Sequence, residues 1–266
     1  MRALPKLMVA PNGARKTKAD HPALPMTLDE VVATAVECHV AGADGLHLHL
    51  RDKQGGHILD AGLYREALGA LRQAVPDMAL QITSEAVGIY GPAVQRQVVE
   101  DAKPQAASVS LAEMLADGDK RAAVAFYDRC VQAEIAVQHI LYGPQDLLAM
   151  SDLLDDGSLD RESLQMIFVL GRYTQGQQST PADLDPFLEW MEQTCPAAQW
   201  AVCAFGKQET ACLGAALARG GHVRVGFENS FWNADGSMAA SNAERVREIK
   251  TLSDTLASQS ENTNTV

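Results

Sequence analysis

The stretch GLHLHLRD, residues 45–52, sets His47 and His49 two positions apart in an apolar run that ends in Arg51 and Asp52. Side chains of an extended chain alternate faces, so both imidazoles project to one side and Leu46, Leu48 and Leu50 to the other. Two neutral imidazoles side by side in a low-dielectric interior are costly unless something takes their lone pairs, and a metal ion does so. A hydrogen-bonded pair of core histidines is the alternative. Two ligands rarely suffice, and the run HVRVGFEN, residues 222–229, puts Arg224, Gly226 and Glu228 on one face by the same period. Glu228 is the carboxylate that completes a set, and Gly226 reads as space left for something to enter. His222, at the opposite end of the run, reads as structural. Two histidines and one carboxylate with open positions suit catalytic zinc and also non-haem iron.

Such residues need a frame. Strand-like runs at 6–13, 45–52, 78–85, 106–113, 135–142, 165–171, 199–206 and 222–229 alternate with helical patterns at 29–42, 60–75, 92–102, 119–132, 144–155, 182–193, 208–219 and 242 to about 258. Unbroken alternation without a Pro-, Gly- or Ser-rich linker predicts an α/β protein, a single-domain (β/α)8 TIM barrel over residues 1–258. A polar tail, 259–266, follows, and a doubly wound open sheet is the alternative. Thr27 or Asp29 can cap the first helix, and Ser241 with Glu244 forms a capping box for the last. Chemistry in a barrel lies at the C-terminal ends of the strands. The polar residues there are Asn12, His49, Arg51, Asp52, Thr83, Ser84, Glu85, Ser110, Glu113, His139, Glu228 and Asn229. His39, in a helical pattern, and His57, in a loop, read as structural or solvated.

Composition sets limits. A chain of 266 residues with 47% hydrophobic content can bury a large core. The 5 cysteines are odd in number and form no C-x-x-C pair, which points to a reduced cytoplasm and not to a disulfide framework. MRALPKLMVAPNG has too short an apolar run for a signal peptide, and no stretch approaches the roughly 20 apolar residues of a membrane span. A net charge of -12 argues against nucleic acid as a partner.

Four segments together, APNGA after the first strand, GLHLHLRD, GGHVRVGFEN and SNAERV at the last helix, resemble the beta-keto acid cleavage enzymes, over residues 6 to about 250. The most specific element is HLHLRD followed about 170 residues later by GGHVRVG-x-E. The resemblance implies a zinc-dependent (β/α)8 barrel, commonly a homotetramer. Its members convert a β-keto acid and acetyl-CoA into acetoacetate and a new acyl-CoA. It makes His47, His49 and Glu228 ligands of one zinc per chain and Arg224 a catalytic residue. Ser84 and Thr83 fall where the family carries a catalytic hydroxyl, and Ser110 where it carries a polar contact; Asn12 and Asn229 join the substrate-facing set.

Departures from the family pattern are equally specific. Asn229 follows Glu228 where aspartate is usual, Gln138 stands about where a glutamate would, and Glu85 replaces a small residue. An amide cannot be a base, so Glu85 and His139 become the candidates. The loop PNGARKTKADHP carries Arg15, with Lys16 and Lys18 behind it, about where the family can present an acidic residue to a substrate ammonium. The reversed sign predicts a β-keto acid with a distal carboxylate or another polar, non-cationic group, or contact with CoA phosphates. Two other functions fit the same scaffold: a CoA-independent metal-dependent aldolase or hydrolase, and a barrel that binds ligand without turnover.

Overall fold

A parallel strand covered by helices needs apolar residues outward and tolerates polar ones only toward an interior that can satisfy them. The chain follows that rule with one exception, the outward-facing His139. Its computed structural model describes residues 3–263, with side chains to 259. The strands β1 (Leu7–Val9), β2 (Gly45–Leu48), β3 (Ala79–Thr83), β4 (Ala106–Ser110), β5 (Ala136–Leu141), β6 (Gln165–Leu170), β7 (Gln199–Ala204) and β8 (His222–Val225) close in sequence order, all parallel, with β8 against β1. This is the single-domain TIM barrel that the alternation predicts.

Around it lie α1 (Leu28–Val40), α2 (Ala61–Ala74), α3 (Pro92–Ala102), α4 (Leu111–Met114), α5 (Lys120–Gln132), α6 (Pro144–Asp155), α7 (Asp185–Thr194), α8 (Glu209–Ala218) and α9 (Asn242–Thr263). The one-turn α4 is an addition to the predicted elements, and the helix predicted over 182–193 begins as a 3-10 turn at Pro181–Leu184. Thr27, not Asp29, caps α1, in a capping box with Glu30. At α9 the Ser241 hydroxyl accepts the Glu244 N–H, while the Glu244 carboxylate reaches back to the N–H of Ala240. α9 continues to Thr263, into the segment read as a tail, whose last three residues lie outside the described ones. Among the described residues no helix is long and apolar enough to cross a membrane.

Two cores result. Outward-facing Leu46, Leu48, Leu80, Ile82, Val109 and Phe168 join the helices in one continuous cluster. Inward-facing Ile140, Ile167, Val169, Ala201, Cys203 and Phe205 form a second, which makes the β5–β7 wall apolar above the inward-facing Gln138. Polar interior residues His47, Gln81, Thr83 and Arg224 come from β2, β3 and β8.

β8 ends at Val225, so Gly226–Asn229 is a turn and not the continued strand that the period of two assumed. Gly226 has φ +140°, and a Cβ there would stand 2.4 Å from the Ala10 carbonyl oxygen and 3.0 Å from Asn242 Oδ1. Its missing side chain therefore admits backbone from β1, not a ligand, which corrects the sequence reading. We predict that Gly226→Ala lowers unfolding stability by about 1–3 kcal/mol or more, from backbone strain plus the contact. Urea denaturation measures this, and an unchanged midpoint would show that the turn relaxes freely.

Candidate metal centre and active site

The Glu228 turn is fastened from every side. The Glu228 N–H donates to Ala10 O at 3.1 Å, and the Phe227 N–H donates to Asn242 Oδ1 at 2.9 Å. Asn242 Nδ2 in turn donates to Pro11 O at 3.0 Å, so the first residue of α9 clamps the ends of β1 and β8 together. Beneath it the fully buried pair Arg245–Glu209 closes at 2.8 Å, and Glu209 Oε1 accepts the Gly226 N–H at 3.4 Å. Burial raises the Glu209 carboxyl to about 7 against the pull of Arg245. Gly13, at φ +61°, leaves the space that the Glu228 side chain fills: a Cβ there would meet Glu228 Cγ at 2.6 Å. The SNAERV and PNG segments thus place one carboxylate.

The β2 segment carries the histidines as its alternation requires. His47 and His49 are each 1% exposed, with their Nε2 atoms 3.0 Å apart. Glu228 Oε2 lies 3.7 Å from His47 Nε2 and 3.4 Å from His49 Nε2. One ligand atom from each of the three falls within 4.8 Å of the others, a grouping that could hold a metal ion. The carboxylate divides its work. Oε1 accepts from Arg224 Nη2 at 3.1 Å, while Oε2 is buried without a hydrogen-bond partner among the described residues. An orphaned carboxylate oxygen facing two imidazole nitrogens fits a divalent cation by its chemistry.

Electrostatics hold His47 and Glu228 in ligating form. Burial, and then the Arg224 charge, keep His47 well below the usual histidine range, so it is neutral. Burial raises the Glu228 carboxyl, but Arg224 and the imidazoles overcome that and leave it well below its ordinary value. Arg224 is 3% exposed; Nη2 also donates to Cys203 Sγ at 3.3 Å, and Nε and Nη1 have no partner among the described residues.

The trio opens into a cavity of about 110 Å³ at the C-terminal mouth. Of the predicted residues, Asn12, Arg15, His47, His49, Thr83, Glu85, Arg224 and Glu228 line it. Asn12 donates to Pro25 O and His49 O, and its Oδ1 has no partner among the described residues. Thr83 Oγ1 accepts the Glu85 N–H at 3.1 Å, which leaves its hydroxyl proton to donate elsewhere. Ser84 does not join them. Next along the strand, it faces the other way and donates to Ser108 O at 3.2 Å. Ser110 caps α4 by accepting the Glu113 N–H, and Asn229 is buried outside the cavity lining. His139 points outward against the Tyr127 ring, 4.9 Å between centroids, so it cannot serve as base in this cavity. Lys18 pairs with Glu30 at 2.8 Å, away from the mouth.

Arg172 enters unannounced, and other residues take places the sequence did not assign. Arg172, two residues past β6, lines the cavity and reaches Glu85 Oε1 at 3.4 Å. Lys16 donates to Phe227 O at 2.9 Å and stands over the Phe231 ring; burial lowers its ammonium to about 8 although Glu209 and Glu228 oppose this. Arg51 of the histidine motif is a brace: its guanidinium donates to the carbonyls of Gly13, Lys16 and Gly55 and so shapes the basic loop. His57, read as solvated or structural, is buried against His49 with its Nε2 3.0 Å from Glu85 O. His39 and His222 reach backbone carbonyls, as structural histidines do. Arg172 had a signal, a cation immediately after a strand run. The period of two, applied to the third strand, would also have chosen Thr83 and Glu85 over Ser84.

A family model described as beta-keto acid cleavage enzyme matches residues 6–264. The 3-keto-5-aminohexanoate cleavage enzyme of Fusobacterium nucleatum subsp. nucleatum is 27% identical over 255 residues, 90% of this chain and 88% of that protein. The 3-oxoadipate:acetyl-CoA acetyltransferase of Cupriavidus necator is 24% identical, with 92% and 87% covered. Among solved structures, the binary complex of ObcA with oxaloacetate gives a TM-score of 0.70 at 15% identity over 86% of this chain and 63% of that longer one, a likeness of fold.

The geometry predicts about one bound divalent ion per chain by the three-ligand pattern. Elemental analysis of protein purified without chelator should show this stoichiometry fall to near zero in a His47→Ala, His49→Ala double variant. Retention of the ion by that variant would place it elsewhere.

Proposed function

The chain belongs to the beta-keto acid cleavage enzyme family, and from that premise we propose that it exchanges acyl groups between a β-keto acid and acetyl-CoA. The observation that carries the reading is the convergence of His47, His49 and Glu228 on one point of a cavity that Arg224 also lines. In the balanced reaction, the bond between the keto carbon and the CH2–carboxylate fragment breaks. That fragment bonds to the acetyl carbon as the acetyl–sulfur bond breaks, giving acetoacetate, and the remaining acyl group bonds to the freed CoA sulfur. The names of relatives such as the 3-oxoadipate:acetyl-CoA acetyltransferase support acetyl-CoA as co-substrate.

His47, His49 and Glu228 would hold zinc, which when bound supplies Lewis acidity toward the keto and carboxylate oxygens of the substrate. Arg224 fixes the Glu228 carboxylate and brings a permanent positive charge toward enolate character developing in the cavity. Thr83, with its proton free, donates to a substrate oxygen. Glu85 is the carboxylate that lines the cavity without belonging to the trio, and takes the role of base. Asn12 lines the substrate space, with its Nδ2 held by the Pro25 and His49 carbonyls.

Incubation of the zinc-loaded protein with acetyl-CoA and a panel of β-keto acids tests the whole reading. Acetoacetate should form only with both substrates present, and Glu85→Gln and Thr83→Ala should each lower kcat about 10²-fold or more while Ser84→Ala stays near wild type. Cleavage without CoA would replace the proposal with an aldolase or hydrolase. Metal and ligand binding without turnover would make the barrel a binder.

Charge at the mouth specifies the substrate further. Arg15, Lys16 and Arg172 line the cavity, and Glu85, the acidic residue there outside the trio, already faces Arg172. Three cations favour a substrate with a distal carboxylate. A β-keto dicarboxylate should show kcat/KM roughly tenfold above a neutral chain of equal length, and higher still above an amino-bearing analogue. Arg15→Glu and Arg172→Glu should each narrow that ranking. A preference for the amino-bearing analogue would refute it.

A further inference from the structure

His47 has a second nitrogen, and its surroundings are specified across four strands. His47 Nδ1 lies 2.8 Å from Gln81 Oε1, Gln81 Nε2 donates to Gln138 Oε1 at 3.0 Å, and Gln138 Nε2 donates to Met166 O at 3.2 Å. All three side chains are buried, at 1–2% exposure. The chain has one possible direction. A backbone carbonyl can only accept, so Gln138 must turn its NH2 toward Met166 and its oxygen toward Gln81. Gln81 must then give its NH2 to Gln138 and its oxygen to His47. The imidazole nitrogen facing that oxygen must carry a hydrogen.

The sheet makes this reach possible. Gln81 is the register partner of His47 on the neighbouring strand, so the two side chains meet directly. Gln81 and Gln138 are separated by β4, whose residues paired with them are Ala106 and Ser108. With such short side chains on the strand between, the two amides meet over it. β6 then supplies the carbonyl that starts the chain.

We propose that Gln81 and Gln138 are positioning residues that transmit the direction of the Met166 carbonyl to His47, fixing it as the Nδ1–H tautomer so that Nε2 always presents a lone pair to a metal. This rests on the reading of His47, His49 and Glu228 as ligands. It separates the two histidines by role. With the His47 Nε2 hydrogen excluded, the 3.0 Å contact between the Nε2 atoms requires the hydrogen on His49 when no ion is bound. Ligation by His49 Nε2 requires that hydrogen to move to Nδ1, which lies 3.8 Å from Glu85 Oε2. His47 is the fixed ligand, and His49 is the one that changes tautomer. It follows that a carboxylate at position 138 would set an oxygen against the Met166 carbonyl, so Gln138 is held to an amide by its place in the chain.

The test uses full-length protein labelled with 15N in histidine, stripped of metal by chelator and free of substrate. Long-range 15N–1H spectra distinguish the two tautomers, and His47→Ala assigns the signal. The wild type should show His47 as Nδ1–H both without metal and with zinc, while His49 changes from Nε2–H to Nδ1–H on zinc addition. In Gln81→Met the metal-free His47 should become a tautomer mixture, and zinc affinity by chelator competition should fall 10- to 100-fold. Gln138→Met should weaken zinc roughly tenfold, and Gln138→Glu at least as much. An Nε2–H His47 in the metal-free wild type overturns the proposal whether or not any variant folds. So does Gln81→Met with tautomer and zinc affinity unchanged. Absence of acyl transfer with these spectra as expected would defeat the enzymatic reading alone, and absence of zinc binding by the wild type would defeat the ligand reading.

Discussion

Two imidazole Nε2 atoms 3.0 Å apart, with a carboxylate oxygen within 3.7 Å of each, crowd three acceptor atoms around a single hydrogen at the floor of the cavity. Flexible side chains would separate to relieve that crowding, so the arrangement needs a rigid frame. Much of the structure around the mouth supplies that frame. β2 commits both histidines to one face by alternation, and the amides of Gln81 and Gln138 hold one ring from behind. The Glu228 turn, by contrast, is irregular backbone. It is held by the Ala10 carbonyl, the Asn242 clamp and the buried Arg245–Glu209 pair instead of by strand pairing. Arg224 then completes the balance by neutralising the carboxylate from below without covering the oxygen that faces the imidazoles.

The same division shapes the barrel interior. Above Gln138 its β5–β7 wall is apolar and lowers the local dielectric, which strengthens charge interactions on the opposite wall. A chain of net charge -12 nevertheless gathers Arg15, Lys16, Arg172 and Arg224 around one opening. The mouth is therefore an electropositive spot on an acidic protein, and an anionic substrate would be attracted to it. Lys16 shows what this costs: burial brings its ammonium down to about 8, and the Phe227 carbonyl and Phe231 ring are what it receives in exchange for water.

Two residues that sequence alone makes tempting have other work here. Arg51 belongs to the histidine motif yet braces the loop after β1 through three carbonyls, and Asp52 accepts the N–H groups of Gln54 and Gly56 in the turn that follows. Motif membership thus mixes ligands with the scaffold that aims them, and chemistry follows only from where each polar atom ends.

The sequence by itself determined the barrel, because the alternation of strand and helix periods is local and repeats along the chain. It also determined His47 and His49 as a pair, since two positions along one strand share a face whatever surrounds them. It pointed to Glu228 through a continued strand that does not exist; the residue is right because the turn at Gly226 delivers it to the same place. Only the tertiary structure decided between Thr83 and Ser84, turned His139 outward, brought Arg172 to the mouth and tied Gln81 to Gln138. Those outcomes depend on strand register and on turns that bring together residues up to more than a hundred positions apart. Side-chain alternation can be read from neighbours in sequence, but the convergence of atoms from separate strands is fixed by backbone hydrogen bonds between them.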